Sequence, residues 1–267
     1  MNSRPVSGYA PVNGVSMYWE GRGSGMVPPL VLVHGGYGLT SMFGGILGEL
    51  AAHRQVIAIE LQGHGHTRDI GRPFGYAEFG DDVAGLIGHL GLGPADVLGY
   101  SLGGEVSLRC AIQHQPMVRK LVLISTPCRR DAWYPEVLAA FDQMNSAALS
   151  GPFRESPMYT AYTAVAPEPD DFDVLIDKTG ELKRQPYDWT DEVAGLIMPV
   201  MLVYGDTDGM PPSHAAEFYS LLGGGQRDGG LDGSLPTPSR LAIIPGTTHY
   251  NILAAQHLPA MINDFLG

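Results

Sequence analysis

The chain is short of cysteine, of positive charge and of long apolar runs. Its two cysteines, Cys110 and Cys128, are too few for a disulfide framework and read as packed free thiols. Only 16 Lys and Arg stand against 28 Asp and Glu, a formal net charge of −12. Such a surface repels phosphate backbones and anionic lipid, so no nucleic acid and no membrane partner is expected. No apolar run approaches the roughly 18 residues of a membrane span, and residues 1–8 have no apolar core of the kind a signal peptide carries. The cytoplasm is therefore the expected location. Internal repeats are also missing. What is present is 44% hydrophobic and 16% charged residues in a chain of 267, a composition for one large domain, or a domain with a subdomain, rather than for disorder.

Short β-rich apolar runs recur at 30–33, 56–59, 97–98, 121–124, 200–203 and 241–244, each ending in Gly, Pro or polar residues. Runs that are apolar at successive positions suit strands buried on both faces of a parallel sheet. Helix-like segments lie between them, at 43–50, 79–87, 104–114, 214–222 and 259–266. The alternation predicts an α/β fold with a mostly parallel central sheet flanked by helices. Residues 16–21 add a candidate antiparallel strand at the start. The alternation stops between 127 and 198, a stretch rich in aromatics and methionine. It reads as a helical insertion over one end of the sheet, giving a core of 1–126 with 199–267 and an inserted cap of 127–198. The glycine-rich stretch 223–239 reads as a loop entering the last strand from its amino end, away from the chemistry, since ligands bind at the carboxyl ends of such strands.

Gly99-Tyr100-Ser101-Leu102-Gly103 sits between a predicted strand and a predicted helix. A serine so placed occupies a turn too tight for side chains at the flanking glycines, and its hydroxyl is lifted clear of the sheet. A serine hydroxyl needs a base, and the base needs a carboxylate to orient it. His249, just past the run at 241–244, is the candidate base. The candidate acids are Asp206 and Asp208, just past the run at 200–203. An oxyanion formed by attack also needs donors. The backbone N–H of Leu102 is one, and Gly36, in His34-Gly35-Gly36-Tyr37-Gly38, is the other.

These motifs, together with Glu60-Leu61-Gln62-Gly63-His64-Gly65-His66-Thr67, resemble the α/β-hydrolase fold superfamily along nearly the whole chain. The resemblance favours Asp208 as the acid, leaving Asp206 to brace the turn, and it makes 127–198 a cap that shapes substrate access. Glu60 departs from the aspartate usual at that position, which is structural in relatives. The implied activity is a serine hydrolase of a carboxylic ester, carboxylesterase-like, acting through Ser101, Asp208 and His249 with Gly36 and Leu102 at the oxyanion. Tyr37, Tyr100, Trp133, Tyr134, Met158 and Tyr162 are candidate substrate contacts. The aromatic cap points to a medium or large, partly apolar small-molecule substrate. No cofactor and no metal is expected, and the chain is expected as a monomer or homodimer. Lactone, thioester, amide and C–C hydrolysis share the machinery. A hydroxynitrile-type lyase and a non-catalytic ligand-binding homologue are the rivals of other classes.

Overall fold

A computed structural model describes residues 6–267 of the chain; residues 1–5, part of the amino-terminal stretch read above for a signal, lie outside the described residues. Eight strands form one sheet: β1 (Val6–Val12), β2 (Val15–Arg22), β3 (Leu30–Val33), β4 (Val56–Ile59), β5 (Ala95–Tyr100), β6 (Val118–Ile124), β7 (Val200–Thr207) and β8 (Arg240–Thr248). Their order is β1-β2-β4-β3-β5-β6-β7-β8. β1 and β2 pair antiparallel, β2 pairs antiparallel with β4, and every pair from β4 through β8 is parallel. The β1–β2 hairpin turns at Asn13-Gly14, both with positive φ (47° and 84°), the pairing a two-residue turn needs to match strand twist.

Ten α-helices accompany the sheet among the described residues: α1 (Gly44–Leu50), α2 (Tyr76–His89), α3 (Leu102–Gln113), α4 (Pro135–Asp142), α5 (Ser146–Arg154), α6 (Pro157–Thr163), α7 (Phe172–Arg184), α8 (Thr190–Val193), α9 (Pro212–Leu221) and α10 (Leu258–Leu266). Alternate residues of the central strands feed opposite cores. Leu30 and Leu32 join Ile46, Leu50, Ile262 and Phe265 of α1 and α10 on one face. Val31 and Val33 join Phe79, Val83, Val106 and Phe218 of α2, α3 and α9 on the other. Both thiols are buried and free, and burial pushes each up to about 12, which leaves them protonated and unreactive near neutrality.

The run 241–244 departs from its expected burial on both faces. β8 is the edge strand, paired only with β7, and Ile243 is 39% exposed. The loop 223–239 enters it from its amino end. Between β6 and β7 lie α4 to α8, with an isolated bridge, Arg129 to Asp188, closing the base of the insertion. Asn145 and Ser156 cap α5 and α6 by accepting from Ala148 and Tyr159 N–H, each worth roughly 1 kcal/mol. The chain builds β3 then β4 to one side and returns to place β5 on the other side of β3. Such a reversal opens a crevice at the carboxyl ends of the two strands.

Candidate active site

Ser101 directly follows β5 at that crevice, with φ +55° and ψ −120°, a conformation that costs a residue with a side chain roughly 1–3 kcal/mol. The neighbouring glycines make it sterically possible. A Cβ at Gly99 would strike the Gly103 carbonyl and Ser107 Oγ, and one at Gly103 the carbonyls of Val33 and His34. The Ser101 carbonyl starts α3, accepting from Gly104 and Glu105 N–H at 2.9 and 3.0 Å. Leu102 N–H, first in the helix, has no carbonyl four residues back within it.

His249 follows β8 and Asp208 follows β7. His249 Nε2 lies 2.9 Å from Ser101 Oγ, and His249 Nδ1 lies 2.9 Å from Asp208 Oδ1. Asp208 Oδ1 also accepts from Gly209 N–H at 2.7 Å, while Oδ2 accepts from Ser125 Oγ at 2.5 Å and from Gly205 N–H at 3.1 Å. Burial alone would raise this carboxyl, but the hydrogen bond and charge of His249, with Ser125 and Gly205, outweigh it and hold the carboxyl below its ordinary value. An ionised carboxylate has no proton to give, so the Nδ1 proton belongs to His249 and the Nε2 lone pair faces the Ser101 hydroxyl. A hydroxyl facing the free nitrogen of an imidazole so oriented is chemically an activated nucleophile.

The loop after β3 is tied just as closely. Leu61 N–H donates to His34 Nε2 at 3.1 Å, so the ring proton sits on Nδ1 and goes to the Gly35 carbonyl at 2.8 Å. Gly38 N–H donates to the same carbonyl at 3.0 Å. In a trans peptide the N–H points opposite to the carbonyl. The Gly36 N–H is therefore turned away from the side where His34 and Gly38 hold the Gly35 oxygen. Glu60 is a buried staple: it accepts from Thr40 N–H at 3.1 Å and from His66 N–H at 2.6 Å.

Of the residues expected near substrate, two touch the histidine. The Trp133 ring meets the His249 ring edge-on at 5.4 Å, and the Tyr100 hydroxyl donates to the His249 carbonyl at 2.6 Å. Tyr134 N–H donates to the Gly209 carbonyl, tying the start of the insertion to the loop of Asp208. Tyr37 gives its hydroxyl to Met144 Sδ and packs on Phe153. Tyr162 packs on Phe172 and lines a separate hollow with Gly63, Asp69 and Phe74. Met158 is 39% exposed on α6. Asp206 accepts from Gly246 N–H. Sequence reasoning missed Ser125, whose only signal was its position directly after the buried run at 121–124.

The chain matches the family model of the alpha/beta hydrolase fold over residues 28–253. Among curated proteins it is similar to a pimeloyl-[acyl-carrier protein] methyl ester esterase of Neisseria meningitidis serogroup B, 28% identical over 258 residues that cover 90% of this chain and 93% of that protein. The protein of the same description from Yersinia pseudotuberculosis serotype O:1b is 30% identical over 225 residues, covering 76% and 83%. Among solved structures, the enol-lactonase from Burkholderia xenovorans superposes with a TM-score of 0.70 at 22% identity, covering 97% of this chain and 99% of that one. The carboxylesterase CesB from Bacillus subtilis superposes with a TM-score of 0.73 at 16% identity, covering 99% and 92%. At such identities the structural likeness speaks to the fold alone. Because the family match runs from just before β3 to just past His249, and so takes in every strand end that carries a polar group of the site, this chain belongs to the alpha/beta hydrolase fold family.

Proposed function

We propose that this protein is a serine hydrolase that cleaves carboxylic esters through an acyl-enzyme. The observation that carries the reading is the unbroken relay Ser101–His249–Asp208, 2.9 Å at each step, starting from a serine on a strained turn. The naming of the curated relatives as methyl ester esterases supports an ester bond as the target.

Ser101 Oγ attacks the ester carbonyl carbon while His249 Nε2 takes the hydroxyl proton. Asp208 holds the imidazole in its working tautomer and stabilises the imidazolium. The carbonyl oxygen becomes an oxyanion between the N–H groups of Leu102 and Gly36. His34 supports this role for Gly36, because it holds the Gly35 carbonyl away and keeps the next N–H free to donate. The intermediate collapses, the C–O bond breaks, and His249 returns the proton to the leaving alcohol. Water, deprotonated by His249, then attacks the acyl carbon, and as the bond from that carbon to Ser101 Oγ breaks His249 returns the proton to Oγ, releasing the acid. Residues 127–198 serve as the cap. Trp133, against His249, and the aromatic packing of Tyr37 with Phe153 and Phe172 favour a partly apolar acyl or alcohol group.

Labelling with a fluorophosphonate and hydrolysis of p-nitrophenyl esters of graded acyl length test this together. The expected outcome is a single adduct on Ser101 and a turnover that falls on the order of 10⁶-fold in Ser101→Ala. A folded wild-type protein that takes no label and turns over no ester would favour a binding role instead.

A further inference from the structure

The relay described above ends at Asp208, yet the carboxylate has a fourth donor that its own loop does not supply. Gly205 and Gly209 are its neighbours in sequence, and His249 is the base. Ser125 comes from a different strand end, at the terminus of β6, and its hydroxyl meets Asp208 Oδ2 at 2.5 Å. An ionised carboxylate only accepts, so the hydroxyl proton lies on Ser125. A separation of 2.5 Å is at the short end for O–H···O⁻, the range of strong charge-assisted bonds. Two further features indicate a position held for that hydroxyl. Ser125 is completely buried, and its backbone takes φ +53°, a left-handed conformation that serine rarely adopts. Its N–H donates to the Val203 carbonyl at 2.8 Å, which locks the strand end of β6 against β7 and aims the side chain at the acid.

We infer that Ser125 is a positioning residue of this site: it fixes the rotation of the Asp208 carboxylate and takes up part of its charge, so that Oδ1 stays aligned on His249 Nδ1. This rests on the serine-hydrolase reading. With Ser125 bonded, each carboxylate oxygen has two donors, which matches its lone pairs. Without it, Oδ2 keeps only Gly205 N–H, and the carboxylate is held less firmly about its terminal bond. The negative charge facing His249 also grows, and the imidazolium becomes harder to deprotonate. The other titratable groups around the pair are Tyr100 from β5, Tyr204 from β7 and Tyr250 beside His249. Burial raises the first two above their ordinary value, so they stay neutral across the acid limb.

The test is steady-state hydrolysis of one p-nitrophenyl ester by wild type, Ser125→Ala and Ser125→Gly, with full pH profiles, and with Ser101→Ala as reference. Glycine removes the hydroxyl while relieving the left-handed strain, so it separates the two roles. The expected result is a kcat about ten- to a hundredfold lower in both variants, KM within about twofold, and an acid limb of kcat/KM moved to higher pH. A Ser125→Gly protein with wild-type kcat and an unmoved acid limb overturns the inference. So does a loss of rate that follows only a loss of folded protein. Activity surviving in Ser101→Ala would overturn the hydrolase reading itself, a different result from a silent Ser125.

Discussion

At Gly103 a single methyl group has nowhere to go, because the carbonyls of Val33 and His34 occupy the position a Cβ would take. Both obstacles are backbone of β3 and its loop, so neither can swing aside. Gly48, on α1, differs in that a Cβ there meets nothing within 4 Å. Gly103→Ala is therefore expected to cost about 3 kcal/mol or more by overpacking, lowering Tm by roughly 10 °C in a chain of this size. Gly48→Ala should leave Tm unchanged or raise it, by up to about 1 kcal/mol of helix propensity. Thermal melts of the two variants side by side check this, and equal Tm values would count against the steric account. The same residue scale explains what was legible beforehand. Ser101, Asp208 and His249 each follow an apolar run, and their chain order is that of one known arrangement. Ser125 follows such a run too, but a serine at a strand end ordinarily reads as a turn residue. Only its left-handed backbone and the carboxylate beside it distinguish it.

α7 is the helix on which α4, α5 and α6 pack, and its buried stripe is Phe172, Leu175, Ile176, Thr179, Gly180, Leu182 and Lys183. That three-to-four-residue spacing is what a helix with one apolar face shows, and Lys183 is the exception on it. Its ammonium pairs with Glu105 of α3, side chains 7% and 0% exposed, and lies over the rings of Trp133 and Phe141 at 5.6 and 5.3 Å. Tyr187 donates to the other Glu105 oxygen at 2.6 Å. A buried pair repays its desolvation only while both partners are present. Lys183→Met alone is expected to cost about 3–5 kcal/mol, whereas Lys183→Met with Glu105→Gln, which leaves Tyr187 an acceptor, should recover most of that loss. Urea unfolding of wild type, both single variants and the double variant decides it, and additive losses would refute the coupling. Neither half of this pair announced itself in the sequence, since Lys183 and Glu105 are 78 residues apart and each looks like a solvated helix charge. The orientation of the short helices α4 to α6 was equally illegible: each spans at most nine residues, so packing against α7 decides which side chains turn inward. By contrast β3 to β7 were readable, because strands covered on both faces must be apolar throughout. β1 was missed although Asn13-Gly14 is a strong hairpin signal.

At the scale of the whole molecule, three histidines among the described residues are kept neutral by burial. His64 is pushed down to about 3 and His214 to about 4, and His34 is lowered as well, desolvation being the largest cause in each. In the unfolded chain each would titrate near 6.5. Below that value the unfolded state binds protons that the folded state refuses, so stability falls as pH falls. His64 and His214 each contribute roughly 1.4 kcal/mol per pH unit, and the loss continues down to about 4 for His214 and about 3 for His64. His64 and His214 together amount to about 3 kcal/mol per unit, against a total stability of roughly 5–15 kcal/mol, and His34 acts in the same direction. The lowered carboxyls of Asp208 and Asp69 act in the same direction at more acid pH. At the alkaline end the buried hydroxyls of Tyr76, Tyr187 and Tyr204 are raised, so the folded state keeps protons that the unfolded chain releases above about 10. Stability is therefore expected to hold between about pH 7 and pH 9 and to drop steeply below about 6. Because the histidines are spread over separate strand ends and α9, the drop belongs to global unfolding rather than to local opening of the site. His214→Gln, which keeps an acceptor for Cys128 N–H, should reduce the acid slope of unfolding free energy by about 1.4 kcal/mol per pH unit between about pH 4 and pH 6. Denaturant titrations at several pH values measure that slope, and an acid slope identical to wild type would remove His214 from the account.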